Sequence, residues 1–99
     1  MSNTLRRETI SDNLITEQIF YKLLNYTLAN VKDQDNISQI EVVNLLLPKK
    51  ISNLTISKVI NVLIPNAKAT TGSIASLVRH IKNKHNLIDE LLQDIGEDF

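Results

Sequence analysis

Apolar residues recur along this chain at helical spacing, three and four apart, in segments separated by short polar breaks. The first segment opens at Ser11 or Asp12, either of which can accept bonds from the free NH groups of a helix start, and runs to about Lys32. At 100° per residue, Ile15, Ile19, Phe20, Leu23, Leu24, Tyr26, Thr27 and Val31 cover more than half its circumference, leaving Gln18, Lys22, Asn25 and Ala29 for solvent. A stripe that wide needs more than one neighbour, either within the fold or on a second subunit.

Asp33 to Asn36 form a polar break, after which Ser38-Gln-Ile-Glu41 has capping-box spacing ahead of the apolar run Val42 to Leu47. Pro48 is expected to stop this short helix. Thr55 or Ser57 can cap a third helix, Ile56 to Ile64, that Pro65 ends in the same way. Glu41 to Pro48 and Lys58 to Pro65 resemble each other at an offset of 17 residues, too few copies for a solenoid, and the runs Val42 to Leu47 and Val59 to Ile64 are β-branched enough that a strand stays open for either. Pro65 to Ala69 reads as a connector. A helix then starts near Thr71 and lasts to Lys84 or His85, with Ile74, Leu77, Val78 and Ile81 on one face. Asn86 can cap a last helix whose Leu87, Ile88, Leu91, Leu92 and Ile95 form a stripe that Gly96 ends. The pattern predicts an all-α domain of about five helices over residues 11–95, preceded by a flexible arm (1–10) and followed by an acidic tail (96–99).

Composition supports this reading. The 99 residues suffice for one core but not two, and only two glycines and two prolines interrupt them. Without cysteine the chain has no disulfide framework and no thiol chemistry. No run approaches the ~18 apolar residues of a membrane span. Glu8, Asp12 and Asn13 follow Arg6 and Arg7 where a secretory signal would be apolar, so a soluble, cytoplasmic protein is expected.

Charge changes the picture more. Eleven basic and eleven acidic residues cancel, yet no acid lies between Glu41 and Asp89, a stretch that holds Lys49, Lys50, Lys58, Lys68, Arg79, Lys82 and Lys84. Charge sorted by position speaks to partners. Opposite the apolar face of the Thr71 to Lys84 helix stand Gly72, Ser76, Arg79 and Asn83, flanked by Ser73, Ala75, His80 and Lys82. Small residues let a helix start approach a phosphate backbone, where its free NH groups favour an anion. Hydroxyls of Thr70, Thr71, Ser73 and Ser76 can donate to phosphate, Lys68 adds charge in the preceding loop, and Arg79 and Asn83 have the forks that read guanine and adenine edges.

With the helix before Pro65 as a support, Thr55 to Lys84 resembles a helix-turn-helix or winged-helix module. The run Thr-Thr-Gly-Ser-Ile-Ala-Ser-Leu-Val-Arg-His-Ile-Lys looks like the DNA-binding helices of bacterial and phage regulators. The resemblance implies a transcriptional regulator that binds duplex DNA, as a homodimer if two short helices are to read a full site. Pro65 to Thr71 is longer than the tight turn of a simple helix-turn-helix. A solvated basic helix is the bland alternative. The functional alternative is a protein-interaction module, of phage or plasmid type, that docks a partner through its broad first helix; a subunit assembling through its acidic tail and basic half is a third reading.

Other chemistry finds less support. His80 and His85 are five apart and diverge by about 140° on a helix, so they do not share a metal. The carboxylates Asp89, Glu90, Asp94, Glu97 and Asp98 lack the spacing and turn glycine of a calcium loop. No phosphate loop, cysteine nucleophile or serine elbow points to an enzyme, and no cofactor is expected. Arg6 and Arg7 fit either a DNA-reaching arm or an unstructured terminus. The acidic tail could fold back over the basic helix and limit nonspecific binding.

Overall fold

The computed structural model describes residues 9–96, which form four α-helices: α1 (Glu17–Asn30), α2 (Gln39–Leu46), α3 (Asn53–Leu63) and α4 (Thr71–Gly96). Short 3-10 turns at Asp12–Leu14 and Leu47–Lys49 precede α1 and follow α2. Among the described residues there is no strand, and both β-branched runs are helical. In each of those runs the buried positions, Val42, Val43 and Leu46 on α2 and Ile56, Val59 and Ile60 on α3, follow helical periodicity.

Helices α2 and α3 pack together at the centre, with α1 and α4 each against both of them. The core joins Leu24 of α1 to the buried residues of α2 and α3, with Ile51 and Ala69 from the connections and Ile74, Val78 and Ile81 from α4. Thr27 is fully buried among them, and its hydroxyl donates to the Leu23 carbonyl at 2.8 Å, so the polar group leaves no unmet donor.

Three element boundaries differ from the sequence expectation. The segment from Ser11 does not run into α1. Ser11 caps only the first 3-10 turn, the chain straightens through Ile15, and Thr16 caps α1 by accepting from the Ile19 N–H at 3.2 Å. The Asp12 carboxylate is held across the fold, accepting from the Ser52 hydroxyl and, at 3.0 Å, from the Thr55 hydroxyl, while the Ile10 N–H donates to the Lys50 carbonyl at 2.8 Å. A carboxylate at the start of α3 also meets the positive end of that helix. Asp12→Ala should therefore free residues 9–15 and cost about 1–2 kcal/mol, read as a lower urea midpoint together with faster exchange of the Ile10 amide; unchanged exchange there would contradict the tether.

The cap of α3 is Ser52 rather than Thr55 or Ser57: its oxygen accepts from the Thr55 N–H at 3.2 Å, and Thr55 itself is buried and bound to Asp12. At α2 the cap is Ser38 as expected, but the Glu41 carboxylate accepts from the Lys32 N–H at 2.9 Å and so ties α2 to the end of α1. Pro65 acts as expected, with Ile64 before it extended (φ −116°, ψ 106°). Helix α2 ends ahead of Pro48 as expected, but without its predecessor leaving the helical region. Leu47 stays helical, the chain tightens into the 3-10 turn, and Lys50 closes it at φ 62°.

The largest difference is at Asn86. The two helices expected over residues 71–95 are one 26-residue helix, about 39 Å long. Neither glycine nor proline interrupts it between Gly72 and Gly96, and Ile74, Ile81, Ile88 and Ile95 recur every seven residues on one continuous face. Asn in a helix interior costs only a few tenths of a kcal/mol relative to good helix formers, too little to break α4 without a new packing partner. The radius of gyration, 15.6 Å, exceeds the ~13 Å of a compact chain this size because the distal half of α4 stands off the body.

Candidate nucleic-acid interface

The start of α4 is set by two devices. Asn61 of α3 acts as a backbone mimic toward the connector: its amide donates to the Ala69 carbonyl at 2.9 Å, and its oxygen accepts from the Ala69 N–H at 2.7 Å. The connector turns through left-handed backbone at Asn66 (φ 64°) and Lys68 (φ 53°) before reaching this clamp. Thr70 then caps α4 in a reciprocal box in which the Ser73 N–H donates to Thr70 Oγ1 at 3.1 Å and the Thr70 N–H donates to Ser73 Oγ at 2.9 Å. Ser73 also donates its hydroxyl proton to the Thr70 carbonyl at 3.0 Å. Ser73 thus holds the helix start, with its hydroxyl proton directed to the Thr70 carbonyl.

With Ile74, Val78 and Ile81 buried, Thr71, Gly72, Ser76, Arg79, His80, Lys82 and Asn83 are all exposed, as are Lys68 and Thr70 beside them. Gly72, Ser76, Arg79 and Asn83 lie along one line of the helix, while Lys82 and His80 stand on its two opposite edges. Arg79 and Lys82 flank a shallow recess of about 300 Å³ whose other walls are Ala75, Val78 and Asn53 at the start of α3. Asn53 was not among the sequence candidates; only the α3–α4 packing brings it there. A Cβ on Gly72 would meet just the Thr70 Oγ1 atom at 3.7 Å, an ordinary contact, so packing within the chain does not require glycine.

The remaining basic residues disperse. Lys49 sits 5.4 Å from the centre of the Tyr26 ring, a cation–π distance, on the α1 side. Lys58 lines a different recess with Asp12, Glu17 and Phe20. Arg6, Arg7, Glu97 and Asp98 lie outside the described residues. Continuous α4 carries Gly96 about 18 Å along its axis beyond Lys84. The acidic tail expected to fold back over the basic helix, residues 97–99, lies outside the described residues.

Among the described residues, no group of three or more His, Asp and Glu side chains is placed to hold a metal ion, and no helix is long and apolar enough to cross a membrane. Comparison with family models, curated proteins and solved structures gave no match to this chain.

Proposed function

We propose that this protein binds duplex DNA through the exposed face of α4 between Thr71 and Lys84, as a transcriptional regulator does, with the helix entering the major groove and α3 as its support. The observation that carries the reading is the acid-free exposed face on which Gly72, Ser76, Arg79, Lys82 and Asn83 stand together beside the capped helix start. Arg79 and Asn83 carry the side-chain forks that suit guanine and adenine edges. Lys82, Lys68 and the hydroxyls of Thr70, Thr71 and Ser76 supply phosphate contacts, with His80 at the far edge. On this reading α3 and α4 take the roles of the two helices of a helix-turn-helix, joined by a longer connector that Asn61 holds at Ala69.

Fluorescence anisotropy with labelled genomic duplexes across a salt series tests it. Binding should weaken steeply with salt, and Arg79→Ala should weaken it roughly tenfold or more. Lys82→Ala should lower the slope of log affinity against log salt by about 1. Gly72→Ala separates function from folding: it should raise stability by up to ~1 kcal/mol while weakening DNA binding, because only the nucleic acid needs the missing methyl group's space. No binding at low salt would sink the proposal.

A second reading has its own observation in its favour. The apolar side of α1 is not fully covered: with the chain before it, the helix borders a groove of about 570 Å³ formed by Ile10, Leu14, Ile15, Ile19, Leu23 and Ile51. A protein-interaction module would use such a surface, and capture of a protein partner without any DNA affinity would favour it.

A further inference from the structure

Five large apolar side chains, Leu87, Ile88, Leu91, Leu92 and Ile95, line the distal half of α4, and the least exposed of them, Ile88, is 44% open to solvent. They continue the core face of the same helix: Ile74 and Ile81 are 0% and 8% exposed against the body, whereas Ile88 and Ile95, seven and fourteen residues beyond Ile81, are left exposed by the described residues. A contiguous apolar stripe of this kind on a soluble chain marks a contact surface. Its flanks are acidic, with Asp89 on one side and Asp94 on the other.

The opposite partner is present on the same chain. The α1 groove is apolar along its floor and carries Lys22 and Lys49 among its walls. It has the form in which an amphipathic helix docks by residues three, four and seven apart. We infer that the distal half of α4 from one copy seats in the α1 groove of a second copy, with Asp89 and Asp94 toward Lys22 and Lys49, and that the exchange is reciprocal, giving a closed two-fold dimer. No α4 residue lines the groove, and α4 runs unbroken through Lys84 to Leu87, so its distal half stays out of the groove of its own chain and is available to a second copy. This inference deepens the dimer expected of a DNA-binding regulator, but its test contains no DNA, so the two succeed or fail separately.

The full chain should sediment as a dimer at micromolar concentration. Leu91→Asp in the stripe and Leu14→Asp in the groove, both at exposed positions, should each raise the dimer dissociation constant at least a hundredfold while circular dichroism stays helical. The cysteine-free sequence allows a direct placement. Ile19→Cys and Ile95→Cys chains, mixed and treated with a flexible bismaleimide, should give a cross-linked dimer far in excess of either alone. A monomeric wild-type chain overturns the inference, and so does an Ile19→Cys, Ile95→Cys double variant that cross-links within one chain, since its own helix then fills the groove. Loss of dimer from Leu91→Asp but not from Leu14→Asp, without the mixed cross-link, also overturns it and assigns the contact to two α4 helices instead.

Discussion

Ile74→Ala is expected to cost about 3–4 kcal/mol, within the range for truncating a fully buried isoleucine. Ile74 is completely buried where α4 meets the rest of the core, so the cavity opens at the junction that holds the candidate interface to the body. Against a typical total of roughly 5–15 kcal/mol for a domain, that loss brings the chain near its unfolding threshold at room temperature. The contrast with Ile88→Ala makes the experiment informative. The two residues share one helix and one face, but Ile88 lies beyond the body, so its truncation should change the stability of the isolated subunit by less than about 0.5 kcal/mol. Urea titrations followed by circular dichroism at low protein concentration would read both. Equal losses would mean that the body covers α4 along its whole length, contrary to this arrangement.

Asn61→Ala is expected to have the next largest effect, about 2–3 kcal/mol, because it removes both bonds to Ala69 and strands the N–H and carbonyl of a buried residue. Its consequence reaches beyond stability. The connector already spends left-handed backbone at Asn66 and Lys68, neither of them glycine, and the Asn61 amide is what secures the end of that path. Without it the Thr70 cap loses its anchor to α3, and the start of α4 should fray while its middle, pinned by Ile74 and Val78, stays packed. Hydrogen exchange resolved by residue would show faster exchange at Ala69 and Ser73 with little change near Val78. Uniform loss of protection would show instead that the clamp supports the whole fold.

Much of this was legible from spacing alone. The apolar residues three and four apart identified the core faces of α2, α3 and α4, and the Ser38 cap and Pro65 stop were readable because a cap or a proline acts on its immediate neighbours. The candidate interface was legible in the same local way, since a helical face with a known core side has a known solvent side. Sequence could not show that Asp12 is taken up by Ser52 and Thr55, forty and forty-three residues away, and so the break between the first turn and α1 went unread. Nor could it show the Asn61 clamp, the occupation of Ser73 by the cap, or Asn53 beside Arg79 and Lys82, since each depends on which segments meet.

At Asn86 the two levels of description part most clearly. A cap-capable residue ahead of an apolar run reads locally as a new start, yet the residue is equally compatible with a helix interior at small cost, and only the presence or absence of a packing partner decides between them. Sequence by itself determined that the chain is helical, which face of each helix is apolar, and that its positive charge gathers where acids are missing, because these follow from periodicity and residue type. Tertiary structure alone decided where α1 and α3 begin, which polar groups are consumed in holding the helices, and that the apolar face of α4 outruns the body by some four turns, because each depends on what lies across the fold and not on what lies next in the chain.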